Sequence, residues 1–129
     1  MLQDHPIHAY LPARDVARAR SFYEDTLGFA PGSENAGGVT YVFGNGTTAF
    51  LYPTPNAGTS QASQAFWTVT NVVREVAALK ARGVRFEHYG MPGEDADGIV
   101  TGGGAKAAWF KDSEGNILAL VQPMADDQH

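Results

Sequence analysis

The sequence contains no cysteine, and this absence excludes several classes of function at once. Disulfide bonds, thiolate nucleophiles and cysteine-based zinc sites all require cysteine side chains. Basic residues are also few, since 9 Lys and Arg against 14 Asp and Glu give a formal net charge of −5. This balance opposes binding to nucleic acid, whose affinity for proteins comes largely from clustered Lys and Arg. A neutral or cationic small molecule is the partner that the charge favours.

Long apolar runs are missing as well. No stretch approaches the roughly 20 apolar residues that a membrane-spanning helix requires. The N-terminal sequence MLQDHPIHAY has neither the basic nor the apolar region of a signal peptide. We therefore expect a cytoplasmic protein that binds neither membranes nor nucleic acid. The 129 residues, 43% of them apolar, are enough for one domain with a hydrophobic core.

The first half of the sequence predicts a strand, a helix and then further strands. In PIHAYLPA, Ile7, Ala9 and Leu11 alternate with His8 and Tyr10, which is the pattern of a half-buried strand. The segment RDVARARSFYEDTLGF has apolar residues at helical spacing and a glycine near its end. In GGVTYVFGNGTTAFLYPT, two β-rich runs flank an Asn-Gly pair. This pair predicts a hairpin, because a type I′ turn needs positive φ at both central residues.

The second half repeats this order. QAFWTVTN predicts a strand, and NVVREVAALKARGVRF predicts a helix with Val72, Val76 and Leu79 on one face. An extended segment, a long loop and the hairpin AAWFKDSEGNILALVQ follow. The glycines of TGGGA, before that hairpin, are interpreted as a bulge or a hinge.

Two local echoes support an internal repeat: ARDVARA resembles VTNVVRE, and LGF after the first helix resembles RGV after the second. The chain is therefore predicted to be a tandem β-α-β-β-β repeat within a single domain, residues 1–129. Module 1 would span about residues 5–56 and module 2 about residues 62–123. The Pro, Gly, Ser and Gln residues of 54–63 indicate the connection between them.

A strand bearing a histidine, then RDVARARSFYEDTLGF and AAWFKDSEGNILAL, resemble the vicinal oxygen chelate (VOC) superfamily over nearly the whole chain. That superfamily includes glyoxalase I, bleomycin resistance proteins and extradiol dioxygenases. The residues that carry the resemblance are Asp15, Phe22, Tyr23, Leu27, Gly28, Asp112, Gly115 and Asn116. It implies an α+β fold in which tandem βαβββ modules form a curled mixed sheet of half-barrels, with a ligand cavity inside and helices outside. It also implies a homodimer, and it leaves open whether the chain is an enzyme.

Metal-dependent members of this superfamily, as the resemblance implies, take one ligand from the first and one from the last strand of each module. The corresponding positions here are His8, Leu51 or a neighbour, Gln64 and Ala119. Only His8 is a side chain that commonly binds a divalent metal ion. His, Asp and Glu are absent from the windows 47–53, 60–69 and 116–122. The sequence therefore predicts no metal site and no cofactor.

Strand alternation also predicts which residues face the cavity. They are mostly apolar or aromatic with a few hydrogen-bonding groups, which is typical of a small-molecule pocket. The predicted ligand-binding residues are His8, Tyr10, Leu51, Gln64, Phe66, Phe110 and Ala119, joined on the walls by Thr68, Ile117 and Val121 and on a lid by Tyr89 and Met91. The wall at Leu51 is alternatively formed by Phe50 and Tyr52. Alternation places Trp67 and Trp109 on the helix-packing face, unless a bulge turns Trp109 into the cavity.

Three functions are compatible with these residues. The leading hypothesis is a metal-independent protein that binds a small hydrophobic or aromatic molecule, cationic ones included, as in the bleomycin resistance branch. The second is a metal-independent enzyme in which His8 acts as general acid or base. The third is a metal-dependent glyoxalase-type lyase, isomerase or dioxygenase, with atypical ligands from a partner subunit or from the loop 87–97.

Overall fold

The structure is a computed structural model, and it describes residues 1–124. Within this range the chain forms eight strands and two helices. The strands are β1 Ala9–Ala13, β2 Ser33–Asn35, β3 Gly38–Val42, β4 Thr48–Pro53, β5 Ala65–Thr68, β6 Val100–Gly102, β7 Ala105–Lys111 and β8 Ile117–Pro123. The helices are α1 Val16–Arg20, which continues directly into a π-helical segment Ser21–Thr26, and α2 Val72–Ala81.

The strands form two four-stranded mixed sheets with the same internal order. Sheet A has the order β1-β4-β3-β2, and sheet B has the order β5-β8-β7-β6. In each sheet the first strand lies parallel to the last one, and the other neighbours are antiparallel. Neither sheet closes into a barrel. The predicted α+β fold with repeated topology is confirmed.

Both helices begin with the same capping interaction. The carboxylate of Asp15 accepts a hydrogen bond from the backbone N–H of Arg18 at 3.0 Å. The side-chain oxygen of Asn71 accepts one from the N–H of Arg74, also at 3.0 Å. Such caps satisfy N–H groups that have no partner within the helix, so both helices start where the sequence echo places them. Neither they nor any other helix in residues 1–124 is long and apolar enough to cross a membrane.

The hydrophobic core lies between the helices and one face of each sheet. Alternate residues of the central strands supply it: Leu11, Val39, Tyr41, Ala49, Leu51, Ala108, Phe110, Leu118 and Leu120 are all buried. Ala19, Tyr23, Val72 and Val76 close it from the helix side. The opposite face of each sheet, here called its open face, carries no helix, and its side chains are available to a ligand or a partner.

Buried polar contacts join the last hairpin to the first module. The amide of Asn116 donates to the carbonyl oxygen of Pro12 at 2.7 Å, and the hydroxyl of Tyr23 donates to Asp112. Burial, followed by the nearby charge of Asp112, raises the pKa of Tyr23 well above its usual value. Tyr23 therefore stays a neutral donor, and the two sheets are held together by groups that water does not reach.

The two turns that the sequence marks with glycine differ in how well they were predicted. Asn45 and Gly46, between β3 and β4, have φ of 60° and 77°, which agrees with the positive φ expected of the Asn-Gly pair. Gly103 and Gly104 form the tight turn of the hairpin β6–β7. The interpretation of TGGGA as a bulge or hinge is therefore wrong, and the long loop ends at Ile99.

Candidate ligand-binding site

The open face of sheet A presents a group of aromatic rings. Tyr10 lies beside Phe50 in the strand register, and its side chain points away from the buried Leu11. The Tyr10 ring packs edge-on against Phe50 at 6.3 Å and against Tyr52 at 5.0 Å between ring centroids. Tyr10 remains 65% exposed, so most of this apolar surface is uncovered.

His8 lies immediately before β1 and reaches the same face. Its Nδ1 forms a hydrogen bond with the hydroxyl of Thr48 on β4. The other ring nitrogen, Nε2, has no hydrogen-bond partner in residues 1–124. A cavity of about 670 Å³ is lined by Leu2, His5, Pro6, Ile7, His8, Ala9, Tyr10, Thr40, Thr48 and Phe50. The N-terminal segment thus forms one wall of this cavity, and His8 and Tyr10 both line it.

The open face of sheet B has a second aromatic row. Phe66 on β5, Ala119 on β8 and Trp109 on β7 are neighbours in the register. Phe66 is 62% exposed, whereas Ala119 is buried between its two large neighbours. The indole N–H of Trp109 donates to the hydroxyl of Ser63 at 3.1 Å. A small residue therefore lies between two rings on this face.

The loop between residues 87 and 99 contacts this row through Tyr89, whose ring lies edge-on to Trp109 at 6.0 Å. One carboxylate organises the loop. Glu94 accepts hydrogen bonds from the N–H groups of Tyr89 and Gly90, both at 3.1 Å, and lies 3.0 Å from Nδ1 of His88. The bond to His88, together with the backbone donors, lowers the pKa of Glu94. Tyr89 and Met91 are both partly exposed at the border of the open face.

His8 also lines a cleft between the edges of the two sheets. This cleft, about 580 Å³, includes Gln64 and Phe66 on the side of β5 and Thr48 on the side of β4. The backbone N–H of Gln64 donates to Ile117, and its side chain is exposed. The structure therefore brings His8, Gln64 and Phe66 together at one junction.

Two predicted site residues lie on the wrong face. Leu51 and Phe110 are buried in the core, at 0% and 1% exposure, because Leu51 pairs with Leu11 and Phe110 pairs with Leu118. The alternative wall of Phe50 and Tyr52 is the one on the open face. The placement of Trp109 in the core is also wrong, and no bulge is needed, because regular alternation within β7 already places it beside Ala119.

A family model described as the Glyoxalase/Bleomycin resistance protein/Dioxygenase superfamily matches residues 5–120. The chain belongs to this superfamily. Among curated protein sequences, none matches it significantly.

Several solved structures have the same fold as nearly all of this chain. TnmS3, an antibiotic binding protein from Streptomyces sp. CB03234, superimposes with a TM-score of 0.69 at 23% identity, covering 92% of this chain and 95% of its own. The virulence protein STM3117 from Salmonella typhimurium has a TM-score of 0.70 at 20% identity, covering 96% and 100%. A lactoylglutathione lyase from Agrobacterium tumefaciens has a TM-score of 0.65 at 16% identity, covering 92% of each chain. At these identities the likeness concerns the fold.

The residues of this chain do not fit the metal-binding site of the glyoxalase type. On the open faces, the four positions carry His8, Phe50, Gln64 and Ala119, so His8 and the amide oxygen of Gln64 are the two donors and no carboxylate or third donor is present among them. Within residues 1–124 no three His, Asp or Glu side chains lie close enough together to hold an ion. The nearby acids are already engaged by protein donors, such as Glu94 by the loop backbone.

Sequence reasoning did not identify Thr48, Thr40 or Ser63 as parts of the site. Thr48 is the partner of His8, Thr40 lines the same cavity, and Ser63 positions the indole of Trp109. For Thr48 a signal was available, because it alternates with the apolar Ala49 and Leu51 of β4. Ser63 precedes β5 in an irregular segment, where no periodicity indicates the direction of a side chain.

Proposed function

We propose that this protein binds a small hydrophobic or aromatic molecule, cationic ones included, without a metal ion. The observation that carries the proposal is the row Phe66–Ala119–Trp109, in which a small residue separates two rings at a position where a metal-binding member would need a ligand. Flat apolar walls of this kind bind planar molecules by burying their area and by stacking. The net charge of −5 adds attraction for cations.

The hydrogen-bonding groups around this apolar surface are few. His8 and Thr48 lie at sheet A, Gln64 lines the same cleft from the side of β5, and Ser63 binds the indole of Trp109. A small number of polar groups in an apolar pocket orients a ligand, while the rings supply most of the affinity. Such a site favours binding of a molecule without a chemical reaction. The antibiotic binding protein TnmS3 shares the fold and supports this function for the present chain.

A second candidate is metal-independent catalysis by His8. The observation that favours it is the hydrogen bond of Nδ1 to Thr48, which orients the ring while Nε2 has no protein partner in residues 1–124. An oriented imidazole with one free nitrogen can accept or donate a proton at neutral pH. Turnover that continues in EDTA and is lost in His8→Ala, but not in His5→Ala, would favour this candidate over binding alone.

We also propose that the protein acts as a homodimer. Large apolar side chains on both open faces, including Tyr10, Val42 and Phe66, are more than 60% exposed in the single chain, at 65%, 69% and 62%. Exposed apolar surface of this kind is typical of an interface or a ligand site. Pairing of sheet A of one subunit with sheet B of the other would cover these residues and enclose the ligand from two sides.

The binding proposal can be tested by thermal denaturation with a panel of aromatic and cationic antibiotics and metabolites. A ligand should raise the melting temperature with increasing concentration, because it binds only the folded state. Phe66→Ala should reduce this effect. The matched control is Val73→Ala, which shortens an apolar residue that is 53% exposed on α2, away from the open faces. If no compound stabilises the protein, or if both variants respond equally, the proposed site is wrong.

Metal independence needs its own measurement. Protein purified without chelator should contain less than stoichiometric zinc, nickel, iron and manganese by elemental analysis, and EDTA should leave ligand binding unchanged. Stoichiometric metal that EDTA removes together with ligand binding would contradict the proposal and favour a site with ligands from the partner subunit.

A further inference from the structure

A separate cleft lies on the helix side of sheet B, away from both open faces. It has a volume of about 220 Å³ and lies between the end of the first helical segment, strand β5 and helix α2. Its lining consists of Leu27, Phe29, Trp67, Thr68, Val69, Glu75, Leu79, Phe110 and Leu120. None of these residues lines the cavity of His8 and Tyr10, although Trp67 also lines the cleft that contains Gln64 and Phe66.

The walls of this cleft are aromatic and only partly covered. The rings of Trp67 and Phe110 stack at 6.3 Å with an interplanar angle of 13°, and Phe29 meets Trp67 edge-on at 5.9 Å. Phe110 is fully buried behind them, whereas Phe29, Trp67 and Leu79 are half-buried. The cleft is thus an open space at the edge of the hydrophobic core.

The burial pattern of α2 explains why space remains here. Val72 and Val76 are the buried residues of α2, whereas Leu79 is half-buried and Glu75 is exposed. The face of α2 that lines the cleft therefore leaves the rings of Phe29 and Trp67 only partly covered.

Glu75 places one negative charge at this apolar cleft. Its side chain is exposed, and its carboxylate forms no ion pair or hydrogen bond with any side chain or backbone group of residues 1–124. An uncompensated carboxylate beside aromatic rings attracts an organic cation twice, by its charge and through the electron-rich ring faces. An anion would meet the same carboxylate and an overall charge of −5.

We propose that this cleft is a second ligand site, which takes a small primary ammonium compound with a single aromatic ring. The ring would enter the space beside Leu79, between Phe29 and Trp67, and the ammonium group would pair with Glu75. The volume is below the usual ~300–1,000 Å³ of pockets for drug-sized ligands, so a larger polycyclic compound does not fit. This site is independent of the binding function proposed for the open faces.

The test uses 2-phenylethylammonium as the probe and phenylacetate, which has the same ring and the opposite charge, as its match. The protein has 2 tryptophans, so in Trp109→Phe the fluorescence reports Trp67 alone. The ammonium probe should change this fluorescence in a saturable way, and phenylacetate should not. In the same background, Glu75→Gln should weaken the binding about threefold, because the ion pair that is lost involves an exposed carboxylate.

Two further variants keep the test sharp. Leu79→Phe, which places a larger side chain in the cleft, should abolish the response by filling it. Glu34→Gln, on the exposed edge strand β2, should leave it unchanged because Glu34 lies on sheet A. The proposal is wrong if phenylacetate binds as well as the ammonium probe, or if Glu75→Gln and Leu79→Phe both bind normally. Loss of binding in Phe66→Ala alone would place the probe on the open face and also contradict it.

Discussion

The carboxylate of Glu114 connects the two halves of the molecule. It lies in the turn between β7 and β8, where its side chain is fully buried. It accepts hydrogen bonds from the backbone N–H groups of Arg14 and Asp15, at 2.9 Å and 3.0 Å, and from the guanidinium of Arg18. A negative charge at the start of α1 also interacts favourably with the helix dipole. The turn of module 2 thereby anchors the first helix of module 1.

These contacts predict a dependence of stability on pH. The hydrogen bond from Arg18 is the largest of the effects that lower the pKa of Glu114 to about 2. Because the folded-state pKa lies below the ordinary value of 4.5, the stabilisation is complete above that pH and is lost as the pH falls towards 2. We expect it to be on the order of 2 kcal/mol, since Arg18 is half-exposed and water weakens its part.

Urea denaturation between neutral and acidic pH can measure this effect. Glu114→Gln should unfold more easily at neutral pH and should lose part of the acid dependence. Glu34→Gln, an exposed position on β2, serves as the control and should retain the acid dependence of the unaltered protein. An unchanged pH profile in Glu114→Gln would show that Glu114 does not contribute the stabilisation described here.

Within the last hairpin, the residues that identify the fold differ from the residue that bears on metal binding, Ala119. Asp112, Gly115 and Asn116 lie in the turn of this hairpin and carry the resemblance to the superfamily. Asp112 and Asn116 make buried hydrogen bonds to Tyr23 and Pro12 of the first half. The side chain of Ala119 faces Phe66 and Trp109 instead, on the open face.

At the scale of elements, the sequence predicted where most strands lie better than which way their residues point. In β4 and β7, apolar residues occupy both faces, so alternation of polarity gave no phase. Leu51 and Phe110 were consequently assigned to the open face although they are buried. At β1 the side chains of His8 and Tyr10 line one cavity, and Leu11 is buried as its apolar alternation predicted. Ile7, which was predicted on the buried face, is 93% exposed and lines the same cavity as His8, because the strand begins only at Ala9. The short β2 strand has three exposed residues and no pattern to detect.

The loop 87–99 is the element that offers a prediction of its own. Because Glu94 holds the N–H groups of Tyr89 and Gly90, Glu94→Gln should weaken the contact of Tyr89 with Trp109. Amide hydrogen exchange of residues 88–94 should become faster, while that of β7 and β8 should not change. Ligands of the open face should dissociate faster from the variant, since the loop borders that face.

Asp97→Asn provides the matched control in the same loop. Asp97 pairs with Lys80 of α2 at 2.8 Å and has no contact with Tyr89. Its replacement should leave exchange at residues 88–94 and ligand dissociation unaltered. Equal effects of the two substitutions would mean that the loop responds to any loss of charge and that Glu94 has no special role.

At the scale of the whole molecule, the two open faces are the surfaces that the single chain leaves without a covering layer. The helices and the core cover one face of each sheet. Hydrogen bonds from Glu114 and Asn116 to the backbone around α1 and β1 connect the last hairpin to the first half of the chain. The aromatic rows of Tyr10 and Phe66 remain exposed in the single chain. A homodimer in which sheet A of one subunit meets sheet B of the other would use both rows in each of two equivalent cavities.

This arrangement predicts that two defective subunits can restore a site to each other. His8→Ala damages the sheet A half of the cavity, and Trp109→Ala damages the sheet B half. Each homodimer then has one damaged half in both cavities. A mixed dimer has one cavity with both halves damaged and one with both halves intact. Calorimetric titration with the most stabilising compound of the thermal screen should find one tight site per mixed dimer.

Mixed dimers can be obtained by refolding the two variants together with different affinity tags, and sedimentation velocity verifies their mass. Each variant alone should bind weakly, and the mixed dimer should recover about the affinity of the unaltered protein at half of its sites. If the cavity were formed within one chain, every chain of the mixed dimer would still carry a damaged half, and no tight site would appear. Restoration therefore depends on which subunit supplies each sheet, and a monomer in sedimentation would contradict the arrangement directly.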